Sequence, residues 1–270
     1  QEMYRRKETF TWLMPAAEAI YRPFGFRFIY EKNKMTVTAD VLRRAETDEK
    51  WQIHSDQEVS GDIFCEEAKK EDLAELACFA EKQLSKLAEV YTVHDIAYFE
   101  QRMQEVGCEG GSLILIRKEK EICGYFLALK KDREAWEIVV EDAVQKKAFP
   151  AVLHWFGASE EKCTFTAFPQ IWEQYAQSEN VPAIMGRIVH LERFVCCLKI
   201  KKEQEWKIRL TDSLVPENNG YFIIKTGIEG GSLIRVENLS EKEKKMFCSM
   251  DIGQLTEELF RLPVFLNEVV

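Results

Sequence analysis

Residues 10–30 contain the sequence feature that most constrains how this chain can fold. The stretch FTWLMPAAEAIYRPFGFRFIY predicts a buried strand up to Met14, a short helix that carries Tyr21, a Pro-Phe-Gly turn and a second strand from Phe26. Paired strands need partners, and a domain of fewer than about 40 residues rarely folds alone. Because only nine residues precede this stretch and the first residue is not Met, we expect the chain to begin inside a larger domain.

The composition is that of a folded protein without membrane spans. The chain has 270 residues, which favours two domains as a prior, and 46% of them are hydrophobic, which is enough for buried cores. No apolar run approaches the roughly 18 residues of a membrane span, and the N-terminus lacks the pattern of a signal peptide. We therefore expect a cytoplasmic protein that does not bind membranes.

The charge balance restricts the classes of partner. The net charge is −9, from 37 basic and 46 acidic side chains, which disfavours nucleic acids and anionic membranes as partners. The same charge would suit a small cationic substrate such as a polyamine or an aminoglycoside. Solubility alone also explains an acidic surface, so the charge permits a cationic substrate without selecting one.

The eight cysteines show no pattern typical of disulfides or of a metal site. They are scattered among apolar neighbours, apart from one adjacent pair, and no Cys-x-x-Cys occurs. The four histidines also lie far apart in the sequence. We therefore expect no bound metal, and we interpret most of the thiols as small core residues.

Residues 62–168 have the pattern of one α/β unit. From Leu73 the apolar residues recur at the spacing of one helix face, and a second helix follows around Phe99. Three short apolar runs come next, separated by charged turns, at 112–116, 124–129 and 136–140. Turns this short predict an antiparallel meander. Residues 44–60, before this unit, are polar and are interpreted as a linker.

Residues 169–270 predict a further unit with a different order of elements. The stretch 184–198 begins as a strand and becomes a helix, and three alternating strands follow. A Pro-Glu-Asn-Asn-Gly sequence predicts the turn between the first two of these strands. Asp251 is the expected N-cap of a helix that continues to Phe260.

The hexapeptide EGGSLI occurs twice, at 109–114 and 229–234. Such an echo indicates either an internal duplication or a recurrence of turn chemistry, because Gly-Gly is a common way to open a strand. The flanking sequences do not match, which favours the second explanation.

The sequence of residues 20–26, Ile-Tyr-Arg-Pro-Phe-Gly-Phe, resembles the tail of the catalytic domain in the GCN5-related N-acetyltransferases. In particular it looks like the enhanced intracellular survival group, whose best-known members acetylate aminoglycosides, and related proteins of Gram-positive bacteria with two acetyltransferase domains are more similar still in sequence. In that group a strand ends in a short helix bearing Ile-Tyr, which a Phe-Gly turn follows. The Met-x-Arg-Ile-Val sequence at 185–189 resembles the sterol-carrier-protein-like domain of the same group.

This resemblance implies an α+β fold in three parts. Residues 1–45 would be the remnant of a catalytic acetyltransferase domain, and residues 46–168 a second, acetyltransferase-like domain without catalysis. Residues 169–270 would form the sterol-carrier-protein-like α/β domain. The resembled group also forms larger rings, so the resemblance is compatible with a homo-oligomer, while the sequence leaves the oligomeric state open.

The sequence lacks the loop that binds the phosphates of coenzyme A in such enzymes. That loop, Arg or Gln followed by x-x-Gly-x-Gly or Ala, presents backbone N–H groups to the pyrophosphate at a helix N-terminus. No such pattern occurs in the 270 residues. We expect the loop to lie upstream of Gln1, and we expect the present chain to bind acetyl-coenzyme A poorly by itself.

The resemblance implies a general acid at Tyr21 and places the backbone of Ala16 against the pantetheine arm of coenzyme A. A phenol suits the protonation of a departing thiolate, because its usual pKa of about 10 is not far above that of a thiol. Tyr21 and Ala16 are thus the implied co-substrate contacts. The alternative for Tyr21 is an aromatic residue that only packs beside Phe24 and Phe26.

The resemblance also implies that the C-terminal carboxylate, here on Val270, acts as the base. The chain ends with the apolar sequence LPVFLNEVV, and an apolar end predicts docking into a groove, since free tails are usually polar. A carboxylate in an apolar site is a stronger base than one in water. This role requires that Val270 be the natural end. The alternative is an ordinary terminal strand that completes a sheet.

Two hypotheses for function follow from these residues. The first is an N-acetyltransferase that moves an acetyl group from acetyl-coenzyme A, as co-substrate, to an amine of a small cationic molecule. The second is a binding module that has acetyltransferase-like and sterol-carrier-like domains without catalysis and recognises a small ligand or a partner. A phosphate loop upstream of Gln1 would favour the first hypothesis.

Overall fold

The computed structural model describes residues 1–38, 40–41, 63–157, 162–198 and 203–266. These residues form two compact units, one made of Gln1–Tyr30 and Ala183–Leu262 and the other of Glu31–Pro182 and Pro263–Val270. The fold is α+β, as the sequence predicts. The predicted linker at 44–60 and the predicted base Val270 lie outside the described residues.

The α-helices of the described chain range from one turn to four turns. In chain order they are α1 (Glu2–Arg5), α2 (Glu18–Tyr21), α3 (Leu73–Leu87), α4 (Ile96–Cys108), α5 (Gln145–Trp155), α6 (Leu191–Cys197), α7 (Glu241–Lys244) and α8 (Ile252–Leu259).

The strands run in the order β1 (Phe10–Leu13), β2 (Arg27–Val37), β3 (Ile63–Glu67), β4 (Val90–Tyr91), β5 (Ser112–Lys118), β6 (Glu121–Leu129), β7 (Glu134–Val140), β8 (Cys163–Thr166), β9 (Ser178–Ile188), β10 (Gln204–Thr211), β11 (Gly220–Gly227), β12 (Gly230–Val236), β13 (Cys248–Asp251) and β14 (Val264–Phe265).

The larger unit, Glu31–Pro182 with Pro263–Val270, is built on a sheet covered by helices on both faces. Strands β3, β5, β6 and β7 pair antiparallel in succession, β8 pairs parallel with β7, and the end of β2 pairs antiparallel with β8. Successive residues of a strand point to opposite faces. Accordingly Leu115 packs in the core that contains α3 and α4, whereas Ile114 packs in the core that contains α5.

The predicted helices and meander of this unit are confirmed. Helix α3 begins at Leu73, and its apolar positions Leu73, Leu76, Ala80 and Leu84 are buried. The apolar runs around 112–116, 124–129 and 136–140 are β5, β6 and β7, joined by tight turns. The 3.6-residue and two-residue periodicities of the sequence therefore predict these elements correctly.

The smaller unit, Gln1–Tyr30 with Ala183–Leu262, contains a four-stranded sheet in the order β12-β11-β10-β13. Strand β1 pairs antiparallel with the end of β9, and α6 and α8 contribute apolar residues to a common core. Asp251 caps α8 as predicted, because its carboxylate accepts a hydrogen bond from the backbone N–H of Gln254 at 2.8 Å. The predicted strand-to-helix change over 184–198 is also confirmed as β9 followed by α6.

Three sequence predictions are wrong in detail. Strand β1 is not buried, since Trp12 is 44% exposed and Met14, just after it, is 46% exposed. The strand predicted from Phe26 is longer than the sequence pattern indicates, because β2 runs without interruption from Arg27 to Val37. Most thiols do not lie in the core: five of the eight are exposed, namely Cys78, Cys108, Cys196, Cys197 and Cys248.

The predicted domain boundaries at 45/46 and 168/169 are defined by likeness to a family rather than by compactness, and they stay a prediction.

Both copies of the EGGSLI sequence lie at the start of a strand, β5 and β12. The same local structure therefore recurs at both positions.

Candidate functional site

The predicted acid, Tyr21, lies on a connection that strand β1 holds in place. Residues Phe10 to Leu13 pair with Ile188 to Met185 of β9. The Phe10 ring stacks between the rings of Phe194 and Phe260, at centroid distances of 5.4 and 5.3 Å. One side chain of the strand thus enters the core, and the chain then leaves the strand toward the short helix α2.

Tyr21 is the last residue of α2 and is partly exposed. Its ring meets the ring of Phe26 edge to face, with centroids 6.1 Å apart. Its hydroxyl makes no hydrogen bond with any residue that the structure describes. Ala16 lies in the exposed bend between β1 and α2. Both predicted co-substrate contacts therefore lie on one connection, where the Tyr21 ring packs on Phe26 and Ala16 is exposed.

A left-handed turn follows Tyr21 and reverses the chain. Gly25 has a φ of +82°, a backbone conformation that residues other than glycine adopt only with strain. A Cβ on Gly25 would also lie 2.8 Å from Cγ2 of Ile252. The turn thus requires the glycine of the Phe-Gly pair.

A buried ion pair fixes the same turn from below. Nε of Arg187 donates a hydrogen bond to the carbonyl oxygen of Phe24 at 2.7 Å, and Nη2 donates to the carboxylate of Asp212 at 2.7 Å. Both charged side chains are almost fully buried. Asp212 also accepts hydrogen bonds from the backbone N–H groups of Leu214 and Val215. Such a pair holds its neighbours firmly, because a buried charge without its partner is strongly destabilising.

A polar cavity of about 320 Å³ lies beside this turn. Its lining includes Arg22, Arg27, Ser213 and Asp251. The Arg27 guanidinium is already used, since it donates to two backbone carbonyl oxygens and to the carboxylate of Asp251. The lining therefore presents both positive and negative side chains together with a hydroxyl group. Such a lining suits a polar ligand, but it does not indicate whether the ligand would be a cation or an anion.

The sequence analysis missed this cavity and the ion pair beneath the turn. Arg187 lies in the Met-x-Arg-Ile-Val sequence, which was the one available signal, but its partner Asp212 is separated from it by 24 residues. A pair of this kind is recognised only from the tertiary structure, because Arg187 lies in β9 and Asp212 in the loop after β10, and these two strands belong to different sheets.

The described part of the C-terminal segment lies in the larger unit. Strand β14 pairs parallel with β4, with Phe265 opposite Tyr91. The described residues of the tail thus form a terminal strand in a two-stranded sheet, which is the alternative named in the sequence analysis, and docking of the chain end into a groove stays a prediction. The terminal residue Val270 is outside the described residues, so its role as a base stays a prediction.

A second polar cluster, buried in the larger unit, also escaped the sequence analysis. Nδ1 of His94 lies 2.7 Å from the hydroxyl of Tyr125, and the His94 ring stacks on Tyr98 at 3.9 Å. The Tyr98 hydroxyl donates to Glu137, which Arg102 also contacts at 3.1 Å. We refer to these five residues as the His94 cluster.

The electrostatics of the His94 cluster favour neutral side chains around one ion pair. Burial, reinforced by the nearby charge of Arg102, lowers the pKa of His94 to about 3. Burial, with the carboxylate of Glu137 as the next cause, raises the pKa of Tyr98 and of Tyr125. The imidazole and both phenols therefore stay neutral at physiological pH, which is typical of a structural cluster.

The turn after β7 does not fit the pyrophosphate of coenzyme A. In this turn Glu141 and Asp142 precede helix α5, and their carboxylates would repel a phosphate at the helix N-terminus. The Gln145 side chain donates to Asp142 and to the carbonyl of Val140, and the Trp172 indole donates to the carbonyl of Gln145. The larger unit thus lacks a phosphate cradle at this turn.

Two features that are common in other proteins do not occur within the described ranges. No group of three or more His, Cys, Asp or Glu side chains that could hold a metal ion occurs among the residues whose structure is described. No helix in that part of the chain is long and apolar enough to cross a bilayer.

Comparison with known proteins gives structural matches alone. No family model matches the chain, and no curated protein matches it either. The GCN5-related N-acetyltransferase of Kribbella flavida superimposes with a TM-score of 0.67 at 15% identity, over 96% of this chain and 63% of its own. A probable N-acyltransferase of Enterococcus faecalis gives a TM-score of 0.66 at 14% identity, over 95% of this chain and 63% of its own.

Eis1 from Mycobacterium abscessus matches with a TM-score of 0.56 at 14% identity, over 95% of this chain and 64% of its own. The chain has the fold of the GCN5-related N-acetyltransferases. It spans somewhat less than two thirds of the length of these three solved structures. The acetyltransferase fold accounts for the meander β5-β6-β7 and the flanking helices, which the sequence predicted.

Proposed function

We propose that the full-length protein is an N-acetyltransferase that transfers an acetyl group from acetyl-coenzyme A to an amine of a small cationic substrate. The observation that carries this proposal is the partly exposed Tyr21 at the end of α2, whose hydroxyl makes no hydrogen bond with a described residue, in a chain with the acetyltransferase fold. The fixed strand-helix-turn around Tyr21 supports a catalytic role, because a proton donor must be held in one position.

The proposed roles follow the chemistry of acyl transfer. A neutral amine attacks the thioester carbonyl, a base takes the proton of the amine, and an acid protonates the departing thiolate. Tyr21 is the proposed acid, and the terminal carboxylate of Val270 is the proposed base. The backbone at Ala16 is proposed to contact the pantetheine arm. No side chain of this chain is assigned to the phosphates of coenzyme A.

The phosphate loop is proposed to come from polypeptide outside these 270 residues. Four large apolar side chains around the Tyr21 connection support this: Trp12, Met14, Ile20 and Phe24 are between 44% and 55% exposed. Exposed apolar side chains grouped in this way typically contact other protein. In the proposed enzyme they pack against the rest of the catalytic domain, of which residues 1–45 are one part.

The finer features of the proposal come from the sequence. The net charge of −9 supports a cationic amine, such as a polyamine or an aminoglycoside, and disfavours nucleic acid. The Ile-Tyr-Arg-Pro-Phe-Gly and Met-x-Arg-Ile-Val sequences support the enhanced intracellular survival group, a sterol-carrier-like domain over 169–270 and a homo-oligomer in the bacterial cytoplasm.

One observation favours the alternative, a non-catalytic module that binds a small ligand or a partner. The sequence contains no phosphate loop, which an enzyme of this kind needs in order to bind coenzyme A. A protein whose complete chain also lacked that loop would be expected to bind rather than to acetylate.

The coding sequence upstream of Gln1 provides the first test. The enzyme would be supported by a strand that is followed by Arg or Gln, then x-x-Gly-x, and then Gly or Ala. The absence of this phosphate loop would support the binding module. The second test is transfer of radiolabelled acetyl groups from acetyl-coenzyme A to spermidine and to kanamycin by the full-length protein. Adding two residues after Val270 should lower the rate at least about ten-fold if the carboxylate is the base. No transfer to any amine would refute the proposal.

A further inference from the structure

A trough crosses three neighbouring strands on one face of the sheet in the larger unit. Lys34 of β2 lies opposite Thr166 of β8, which in turn lies opposite Trp136 of β7. Two residues away along the strands, Thr164 of β8 lies opposite Glu134 of β7. Directly opposite residues point to the same face of a sheet, so the five side chains share one face. The short threonines form the floor, and the longer side chains of β2 and β7 form two walls.

The five side chains line a cavity of about 470 Å³, a volume within the range of small-molecule sites. Trp136 and both threonines are half-buried, whereas Lys34 and Glu134 are exposed. The remaining side chains of the lining are those of Lys32, Glu109, Leu129, Ala135 and Val181. The trough is therefore polar, with one indole ring in a wall.

The two walls carry opposite charges that do not meet each other. Lys34 supplies an ammonium group on β2, and Glu134 supplies a carboxylate on β7. Neither group forms an ion pair or a hydrogen bond with another residue of the described ranges. The same holds, within those ranges, for the threonine hydroxyls and for the indole N–H of Trp136. Donors and acceptors of both charges are thus available to a ligand.

The geometry of the sheet sets the spacing of the two charges. Lys34 and Glu134 are two strands and two residues apart, which places their Cα atoms about 12 Å from each other. Side chains stand roughly perpendicular to a sheet, so their charged groups are separated by a similar distance. A charge-assisted hydrogen bond occupies about 2.8 Å at each end. A ligand that bridges the walls therefore needs opposite charges about 6 Å apart.

A dipeptide has this spacing between its terminal ammonium and carboxylate groups. An extended chain covers about 3.3 to 3.6 Å per residue, so two residues span about 7 Å and a single α-amino acid is too short. The peptide group of the ligand would lie over the floor, where the hydroxyls of Thr164 and Thr166 can both donate and accept hydrogen bonds. The indole of Trp136 offers an apolar surface to a ligand side chain.

Hydrogen bonds hold the two walls at a fixed distance. The side-chain amide of Asn33, next to Lys34 in β2, donates to the carbonyl of Phe168 and accepts from its N–H, each at 3.0 Å. The N–H of Ala167 donates to the carbonyl of Asn33, also at 3.0 Å. Strand β2 is thus locked to the chain that follows β8. A site formed before binding loses less entropy when its ligand arrives.

We propose that the trough is a binding site for a dipeptide. Lys34 donates a hydrogen bond to the terminal carboxylate of the ligand, and Glu134 accepts one from its terminal ammonium group. This site goes beyond the proposed acetyl transfer, because none of the five trough residues has a role in that reaction. The two proposals can therefore be tested separately.

Titration calorimetry of the full-length protein tests the ligand class. Glycyl-leucine, leucyl-glycine and alanyl-alanine are the probes, and at least one of them should bind. N-acetyl-glycyl-leucine amide, which lacks both terminal charges, and free leucine, which is too short, should bind at least about ten-fold more weakly than the best dipeptide. The proposal is overturned if no dipeptide binds at concentrations up to about 10 mM, or if the uncharged analogue binds equally well.

Two substitutions test the assigned contacts. Lys34→Met and Glu134→Gln each remove one charge from an exposed side chain and should weaken binding of the best dipeptide at least about ten-fold. The matched controls are Lys86→Met and Glu121→Gln, which remove exposed charges of the same unit outside the cavity lining and should bind as the unmodified protein does. Unchanged affinity in Lys34→Met and Glu134→Gln would overturn the proposal. A thermal unfolding scan ensures that each variant is folded.

Exchanging the two charges tests whether they act as a pair. Lys34→Glu and Glu134→Lys should each abolish binding, because both walls then carry the same charge. The double variant again has opposite charges across the trough, so it should bind the dipeptide more tightly than either single variant. A double variant as weak as the single variants would refute a ligand that bridges the walls.

Discussion

Arg187 and Asp212 form a buried ion pair, with Nη2 of the arginine 2.7 Å from Oδ1 of the aspartate, directly beneath the turn that follows Tyr21. The same guanidinium donates to the carbonyl of Phe24. One arginine therefore joins the strand β9, the loop after β10 and the turn after α2. The position of Tyr21, the proposed acid, therefore depends on Arg187. The arginine holds the turn, whereas the tyrosine is proposed to donate a proton.

Removing the guanidinium should be strongly destabilising. In Arg187→Met the carboxylate of Asp212 stays buried without its cation, so the free energy of unfolding should fall by about 3 to 5 kcal/mol. The control is Arg6→Met, which breaks an exposed pair with Glu2 at 3.1 Å and should change stability by less than about 1 kcal/mol. Urea denaturation measures both. Equal losses in the two variants would contradict the structural role of Arg187.

The turn glycine should be intolerant of a side chain for two reasons. Gly25→Ala places a Cβ at a positive φ and 2.8 Å from Ile252. Gly110 has nearly the same φ, +78°, but nothing lies within 4 Å of the added Cβ, so Gly110→Ala measures the backbone strain alone. We expect Gly25→Ala to lose about 1 to 3 kcal/mol more than Gly110→Ala. Similar losses in urea denaturation would show that the Ile252 contact relaxes freely.

The hydroxyl of Tyr21 should matter for acetyl transfer and not for folding. Because it makes no hydrogen bond with a described residue, Tyr21→Phe should leave the unfolding midpoint unchanged. A general acid contributes about 10² to 10⁴ in rate, so kcat of the full-length protein should fall by at least about 10². Tyr4→Phe, in the same unit and stacked on His190, is the matched control and should retain full activity. A fully active Tyr21→Phe enzyme would reject the assignment.

His94 should make stability depend on pH. The folded protein holds the pKa of His94 near 3, below the usual 6.5, so between these values the unfolded chain binds a proton that the folded chain does not. Stability is therefore complete above pH 6.5 and falls as the pH drops, by up to about 1.4 kcal/mol per pH unit from this group.

The variant His94→Gln should lack that part of the slope. Urea denaturation at pH 7.5 and at pH 5 measures the difference, and the variant should lose less stability on acidification than the unmodified protein. Identical slopes in His94→Gln and the unmodified protein would refute the explanation.

The sequence predicted those elements whose formation depends mainly on residues that are close together in the chain. The helix from Leu73, the meander and the Asp251 cap follow from periodicity, short charged turns and capping chemistry, which neighbouring residues determine. The strand-helix-turn around Tyr21 was predicted for the same reason. Local pattern did not predict the exposure of Trp12, because a short apolar run looks the same in a buried strand and in a strand at the edge of a sheet.

The relationships that the sequence did not predict join residues from separate elements. The Arg187–Asp212 pair, the contact of His94 with Tyr125 and the pairing of β14 with β4 each depend on how strands are arranged in space. A two-residue strand such as β14 has too little periodicity to be recognised, and an isolated histidine gives no sign of its burial. Each becomes evident from the tertiary structure alone.

The uneven distribution of thiols gives the larger unit a built-in reporter of its own opening. Cys123 and Cys163 lie in its core, whereas five other cysteines face solvent. After the accessible thiols are blocked, an alkylating reagent can reach these two only when the sheet separates from α5. The rate of their modification, followed by mass spectrometry, would thus yield the free energy of that local unfolding without any substitution.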